Sequence, residues 1–498
     1  MIFYFLSSIL LIYLAFPNYF NPYGFWPLAL IFAVPLFFVL EGRSLPQRVL
    51  LGTLFGLIFY ALLVQWLIPY SLLGYILFVL VLTIQPVLFA ALYRSSGRLV
   101  DILYIPALWV ASEYLRTLLL GGFSWNLGHS QTFNIYGLQI ANLFGSWGIS
   151  FVLILINYCL YCLIRKFENR KIYAAVLVAV IVFVAGYGIL SIPSASVTKS
   201  VDTFDVCAVQ SNIDSRQKVN PDFIPHHVAH QIALSQSCLT KKKPDLIIWP
   251  ETAIASDFIQ DPGMKDQMLK FVRAAGVPVL VGAALWKGEG NQNSAVLLLP
   301  DGHIRAVYHK RYLVPFSEYM PSGGTWPAVS QLFHLKDFHF IPGRRSPLFS
   351  LANYKFGVAI CSEDTIGFFF RQFSKYGAGF AVVLLNDGWF RHNAALVIHG
   401  QNAIMHAVEN RLPIVRVANT GWTSFIDPYG RVKSNQEPWF NSKAVVTYKI
   451  HPHFEKTLFQ RIGDIFAVFC CVFVIIFRMA QFATRPSSSM AIDDEGLP

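Results

Sequence analysis

The amino-acid sequence predicts a multi-span α-helical membrane domain of eight spans joined to an extracytoplasmic α/β domain, on three observations. The first is composition. Of 498 residues, 55% are hydrophobic and only 13% are charged, where a soluble chain carries about 25% charged residues. The second is a series of apolar stretches at 2–16, 23–40, 49–70, 74–93, 102–120, 136–163, 173–192 and 464–481, most of them near the ~20 residues that cross a hydrocarbon core. The third is the segment 195–460, where composition turns ordinary and strand-like runs alternate with helical ones.

The first stretch lacks a basic n-region and a small-x-small cleavage site, so it reads as an uncleaved helix. Arg43 and Arg48 follow the second stretch and Arg94 and Arg98 the fourth. Arg165, Lys166, Arg170 and Lys171 follow the sixth, and Arg478 and Arg485 accompany the eighth. The loops at 17–22, 71–73 and 121–135 carry no Lys or Arg. Because basic loops stay inside, both termini are expected in the cytoplasm and the α/β segment outside it. The expected divisions are a membrane domain of seven spans over 1–194, the α/β domain over 195–460, an eighth span over 461–483, and a disordered cytoplasmic tail over 484–498, Ser-rich and ending acidic.

Within the α/β segment, strand-like runs lie at 204–210, 245–249, 277–282, 294–299, 354–360, 380–385 and 413–418, with helical runs near 222–240 and 393–411. Such alternation argues for a sheet covered by helices. Residues 300–303 and 427–431 have the composition of hairpin turns.

The net charge of +11 does not point to nucleic acid, because much of the excess lies in short loops between apolar spans and no basic run is interleaved with aromatics. Cys159, Cys162, Cys470 and Cys471 sit inside apolar stretches and read as small hydrophobes. Cys207 and Cys238 fall in the α/β segment and can pair if it is exported, although their spacing does not require it.

Three strand ends carry chemistry. Glu251 follows Asp-Leu-Ile-Ile-Trp-Pro, Lys310 follows Ile304-Arg-Ala-Val-Tyr-His, and Cys361 follows Tyr354-Lys-Phe-Gly-Val-Ala-Ile. A carboxylate, an ammonium and a thiol are the parts of acyl transfer through a thioester. The carboxylate removes protons, the cation steadies the thiolate and an oxyanion, and the thiol attacks. Taken singly, each has a plainer reading: a buried structural cysteine, a solvated carboxylate, a surface lysine. The polar turn Ser362-Glu-Asp-Thr favours an accessible thiol, whose pKa nearby positive charge would lower. Glu318 is placed to orient Lys310 or share the role of base.

These motifs, with Ile360-Cys-Ser-Glu363 and Leu385-Asn-Asp-Gly-Trp-Phe390, resemble the nitrilase superfamily. Within it the chain is similar to the bacterial apolipoprotein N-acyltransferases over nearly its whole length. The similarity takes in Glu113-Tyr-Leu-Arg116, Gly122-Phe-Ser-Trp-Asn-Leu-Gly-His-Ser-Gln131, Val209-Gln-Ser-Asn-Ile213, Glu409-Asn-Arg-Leu-Pro-Ile-Val-Arg416 and Asn419-Thr-Gly421. The resemblance implies an α-β-β-α sandwich, with Glu251 as general base, Lys310 as oxyanion stabiliser, Cys361 as nucleophile, and Glu318 and Glu363 in support. It implies a membrane phospholipid as acyl donor, a diacylglyceryl apolipoprotein as acceptor, no cofactor, and a place in the bacterial inner membrane with the catalytic domain on the periplasmic side. Two positions depart from the family: Ser362 stands where an aromatic is usual, and Val219, after Lys218, where Trp is usual.

A lipid donor accounts for the spans, since a soluble amide needs no anchor. Residues 366–370, Trp389 with Phe390, and 323–326 are expected to dip into the interface, with core packing the other reading of 368–370. Glu113 and Arg116 lie one turn apart in the fifth stretch. Arg116 suits a phospholipid phosphate, or else pairs with Glu113. His392, His399 and His406 recur at sevens, which is not metal-ligand spacing on a helix, and read as surface or satisfied core residues with no metal. The competing functions are a membrane-tethered carbon–nitrogen hydrolase acting on a small amide, and a transporter or scaffold, for which mid-membrane charge pairs or broken helices are few.

Overall fold

In the computed structural model all residues are described except 124, 194–202, 241, 289, 316, 320–339, 345–347, 391–392, 434–441 and 484–498. The expected aromatic dip at 323–326, His392 and the acidic tail therefore lie outside the described residues.

Every apolar stretch is helical. The helices are α1 (Ile2–Ala15), α2 (Ala33–Leu40), α3 (Leu45–Leu63), α4 (Leu72–Leu92), α5 (Asp101–Leu119), α6 (Ala141–Ile164) and α7 (Arg170–Ser191), with a last one near the carboxyl end. Four of them, α3, α4, α6 with the turn before it, and α7, are long and apolar enough to cross a membrane. α5 has the length but carries Asp101, Glu113 and Arg116. The stretch at 23–40 is not one helix: a 3-10 turn at Trp26–Leu30, with Pro27 inside it, precedes the eight-residue α2. α6 is interrupted at Gly145, whose φ of +66° departs from helical geometry.

The α/β domain is a four-layer sandwich. Its first sheet runs β12-β1-β2-β3-β4-β5 and its second β11-β10-β9-β8-β7-β6. The strands that matter here are β1 (Phe204–Gln210), β2 (Leu246–Ile248), β3 (Val279–Lys287), β4 (Gly290–Leu298), β5 (Ile304–His309), β6 (Leu348–Leu351), β7 (Tyr354–Ile360), β8 (Phe380–Leu385), β9 (Ile414–Ala418), β10 (Ser424–Ile426), β11 (Val432–Lys433) and β12 (Ala444–Ile450). β1, β2 and β3 are mutually parallel, as are β7, β8 and β9. The hairpins expected at 300–303 and 427–431 join β4 to β5 and β10 to β11.

Alternate side chains explain the layers, because successive residues of a strand face opposite ways. Val206 and Ala208 point between the sheets, toward Val358, Ile360, Val382 and Leu384. Beyond the short helix α8 (Ser215–Lys218), Cys207 and Val209 point outward under α9 (Ile224–Gln236) and α10 (Pro262–Ala275), where Val228, Met268 and Phe271 complete a second core. A disulfide joins Cys207 to Cys238, just beyond α9. On the other side Ala359, Ala381, Val383 and Leu385 meet α11 (Gly367–Lys375) and α12 (Asn393–Asn410), and this core runs without interruption into the membrane helices. The chain then closes with the short α13 (Leu458–Ile462) and the apolar α14 (Ile465–Ala483).

Polar bonds lock that junction. The break at Gly145 frees the first amides of the second half of α6, and Ser146 N donates to Glu409 Oε1 at 3.0 Å. A carboxylate at a helix amino end also complements the helix dipole. Gln401 Nε2 donates to the His129 carbonyl, Arg411 Nη1 to Gln139 Oε1, and Trp147 Nε1 to Asp464 Oδ1. Replacing a charged acceptor of this kind costs roughly 1.5–3 kcal/mol. Glu409→Ala is expected to lower the thermal unfolding midpoint of the full chain in detergent accordingly, and an unchanged midpoint contradicts this role.

Candidate active site

Both groups of parallel strands end on the same rim, which is where open α/β sheets gather functional groups. Glu251 follows β2, Cys361 follows β7 and Asp387 follows β8, while Lys310 follows β5. Gly282 on β3 makes room for this arrangement: a Cβ there would sit 2.1 Å from the Pro250 carbonyl oxygen, so the chain entering Glu251 passes directly over it.

Glu251, Lys310 and Glu318 are tied together through Asn293 on β4. Asn293 Nδ2 donates to Glu251 Oε1 at 2.7 Å and lies 3.3 Å from Glu318 Oε1. Lys310 Nζ is 2.9 Å and 2.8 Å from the two Glu318 oxygens. The backbone of Lys310 is pinned as well, its N–H donating to the Asn293 carbonyl and its carbonyl accepting from Gly343 N–H. Val314 N–H donates to Glu318 Oε2. Glu318 thus sets both of its oxygens against the ammonium.

Glu363 is a clamp between the two sheets. Its Oε1 accepts from Tyr308 Oη at 2.7 Å, from Arg311 N at 2.7 Å and from Tyr312 N, while Oε2 accepts from Ile360 N at 2.9 Å. One carboxylate therefore joins the loop after Lys310 to the residue before Cys361. Cys361 has φ +53°, uncommon for a residue with a Cβ and retained only where the surroundings fix it. A second stitch closes the rim: Asn419 donates to the Ile213 carbonyl and to Asn386 Oδ1 and accepts from Ser211 Oγ.

The electrostatics differ from what the sequence suggests. Burial pushes the Cys361 thiol well above its ordinary pKa, the Glu251 carboxylate pushes it further, and Lys310 pulls it back only in part. The sulfur rests as a neutral thiol and not as a ready-made thiolate. Glu251 is raised too, by burial first, against the pull of Lys310, which suits a carboxylate that must take up a proton. Burial lowers the Lys310 ammonium, but the acidic groups around it, Glu318 first, outweigh that and raise it.

Lys218 was not singled out as a site residue, yet it is buried here, donating from Nζ to the Glu251 carbonyl. Burial lowers its pKa to about 8, with Glu251 and Cys361 opposing. Asn293, Tyr308 and Asp387 also escaped the reading. The one sign of Asn293 is its polar company, Asn-Gln-Asn-Ser, at the head of an apolar strand. Of the two departures, Val219 is 40% exposed, and Ser362 Oγ lies near the Tyr312 carbonyl.

Other expectations are revised. Arg116 does not form an ion pair with Glu113. It is fully buried in the helix bundle, donating to Tyr60 Oη at 2.7 Å and to the Trp125 carbonyl. Glu113 is buried beside it, accepting from Trp109 Nε1 and Leu127 N. Neither touches the trio. Phe369 and Phe370 are core residues, because α11 turns them onto the second sheet, whereas Phe368 is 43% exposed. Trp389 is half-exposed and its ring lies 6.2 Å from Tyr70, while Phe390 meets Trp66 edge-on at 4.8 Å. The Tyr70 hydroxyl contacts Ser317 Oγ, next to Glu318. The loop between α3 and α4 therefore forms part of the wall of the site. His406 pairs with Glu409 at 2.8 Å, and His399 lies in a buried ionic group.

Comparison with known proteins agrees with this architecture. Residues 8–159 match the apolipoprotein N-acyltransferase N-terminal domain, and residues 206–454 match the carbon-nitrogen hydrolase family. An apolipoprotein N-acyltransferase of Geobacter metallireducens is 32% identical, covering 93% of this chain and 92% of its own. Apolipoprotein N-acyltransferase 1 of Treponema denticola is 28% identical, with 93% of each chain covered. Among solved structures, an E41L mutant of the amidase from Nesterenkonia sp. AN1, with the acetamide moiety of fluoroacetamide on its active-site cysteine, gives a TM-score of 0.41 at 14% identity, covering 53% of this chain and 97% of that one. On the match along nearly its entire length, this chain belongs to the apolipoprotein N-acyltransferase family.

Proposed function

We propose that the protein moves a fatty acyl chain from a membrane phospholipid to the α-amino group of the S-diacylglyceryl cysteine of an apolipoprotein, by a ping-pong route through a Cys361 thioester. The observation that carries this reading is the site's wall: the rim holding Glu251, Lys310 and Cys361 abuts Trp66 and Tyr70 of the membrane domain, through Phe390 and Ser317. A small water-soluble amide has no need of that neighbour.

The chemistry follows from the geometry. Glu251 takes the proton from the Cys361 thiol as sulfur attacks the ester carbonyl, and the Lys310 ammonium offsets the negative charge that forms on the carbonyl oxygen. Collapse breaks the ester C–O bond. Glu251 returns the proton to the departing glycerol oxygen, so lysophospholipid leaves and a thioester remains. The acceptor amine then attacks the thioester and Glu251 takes its proton. The sulfur leaves as a thiolate and is reprotonated, and the product is an amide. Glu318 and Glu363 hold the cation and the turn in place.

The eight crossings, both termini in the cytoplasm and the catalytic domain on the periplasmic side of the inner membrane are part of the same proposal. Two features support them. The basic loops gather at one end of the bundle, where Arg165 pairs with Glu41 and Arg48 donates to the Tyr93 carbonyl, whereas the uncharged loops around Tyr70 and His129 meet the catalytic domain. The Cys207–Cys238 disulfide suits an oxidising compartment.

Cys361→Ser is expected to abolish transfer of label from phospholipid to a diacylglyceryl-cysteine peptide, and full transfer by that variant would rule out the thioester. Because Glu251 is raised, the acid limb of the transfer rate should lie above the ordinary glutamate range near ~4.3 and fall about tenfold per pH unit below it. Glu251→Gln should be slow at every pH. For placement, protein trapped with an alkylating agent on cell lysis should show Cys207 and Cys238 unmodified until reduced; free thiols at both positions would count against the outer location.

A further inference from the structure

A second set of charges is enclosed behind the nucleophile's turn. Asp364 lies in the 3-10 turn Cys361–Thr365, and Asp387 opens the turn after β8; neither has any solvent exposure. His399, on α12, reaches both. Its Nδ1 is 2.8 Å from Asp387 Oδ1 and its Nε2 is 2.6 Å from Asp364 Oδ1. Arg416, on β9, brings Nη2 to 3.5 Å from Asp364 Oδ2 and 3.9 Å from Asp387 Oδ2. An unprotonated ring nitrogen at either short distance would set a lone pair against a carboxylate lone pair. With both carboxyl groups ionised, both nitrogens carry hydrogen and the ring is a cation. Burial opposes that charge, but the two carboxylates outweigh it and raise the His399 pKa to about 10.

This arrangement acts on Cys361 in two ways. The left-handed backbone of Cys361 is held by Glu363, which accepts from Ile360 N, and further along the same turn Asp364 Oδ1 lies beside His399 Nε2. The sulfur is also faced by charge from every neighbouring element. Glu251, Asp387 and Glu318 oppose its ionisation and Lys310 favours it, while Lys218 and Tyr70 couple to it from α8 and from the loop between α3 and α4. Without His399, Asp387 would keep only the more distant Arg416 guanidinium, shared with Asp364, to offset its negative charge behind a group that must itself become negative.

We propose that His399 is a positioning residue for acyl transfer: an imidazolium bridging Asp364 and Asp387, it fixes the turn that bears Cys361 and neutralises the carboxylate behind the sulfur. The inference rests on the acyltransferase reading for the identity of the reaction, but the thiol can be followed without an acyl donor. In the full-length protein in detergent, alkylation of Cys361 by iodoacetamide is measured by peptide mass across about pH 6 to 10, below the raised midpoint of the thiol, where the rate follows the thiolate fraction. His399→Gln retains polarity but not charge. Its alkylation profile is expected to move up by about one pH unit, a tenfold loss of rate at a fixed pH below the midpoint. Adding Asp387→Asn should return the profile toward the parent's. A His399→Gln profile that coincides with the parent's overturns the proposal, as does a double variant no faster than the single one. If the single variant does not fold, the double variant decides: folded with parent-like alkylation, it supports the proposal; unfolded or still shifted, it overturns it. Failure of phospholipid to acylate Cys361 in the parent would remove the acyltransferase reading and leave this alkylation result standing.

Discussion

Negative charge must form on a sulfur that the fold has taken out of water. This constraint organises the rest of the site. Burial makes the Cys361 thiolate costly, so the thiol rests neutral and a base must be at hand. In the proposed reaction the base is Glu251, whose burial raises its affinity for a proton. A cation must face both, and a buried lysine keeps its charge only among carboxylates, which is what Glu318 provides at 2.8 Å. Each group is intelligible only in the presence of the others.

The second constraint is that this apparatus must stand still against the membrane helices. An apolar interface alone would leave sliding room. The junction is instead fixed by directional bonds, of which the cap of Glu409 on the broken helix α6 is the most telling, because a helix break that exposes amides has been matched by a carboxylate from the other domain. At this joint the stretch around 126–131 receives Gln401 of α12 and Glu409 caps the second half of α6 at Ser146, while the stretches around 209–213 and 419–421 meet at the rim of the site. Four motifs without reactive groups are thereby explained as the parts that hold the reactive ones.

Much of this was legible in the sequence. Strand ends mark where side chains leave a sheet, so Glu251, Lys310 and Cys361 could be picked out from the apolar runs before them. Uninterrupted hydrophobic length marked the membrane helices, although it could not show the break at residues 31–32 or the kink at Gly145, since a kink changes geometry without changing hydropathy. Long-range polar partners were invisible for a related reason. The polar run around Asn293 is a faint local sign that names no partner, and nothing local distinguishes His399 from its neighbours at seven-residue spacing; their roles come from Glu251 and Glu318 in one case and from Asp364 and Asp387 in the other. Charge in an apolar helix suggested a ligand for Arg116, and the sequence could not show the tyrosine hydroxyl and backbone carbonyl that it meets. The sign of the thiol's shift was missed for want of burial, which a sequence does not display.

The central claim is that Cys361 becomes acylated before any acceptor is present. Intact and peptide mass measurement of the purified protein after incubation with phospholipid alone tests it most directly. The account predicts a mass increase of one fatty acyl group, confined to the peptide containing Cys361 and released by hydroxylamine. An unmodified Cys361 peptide, with transfer still occurring once acceptor is added, would contradict it.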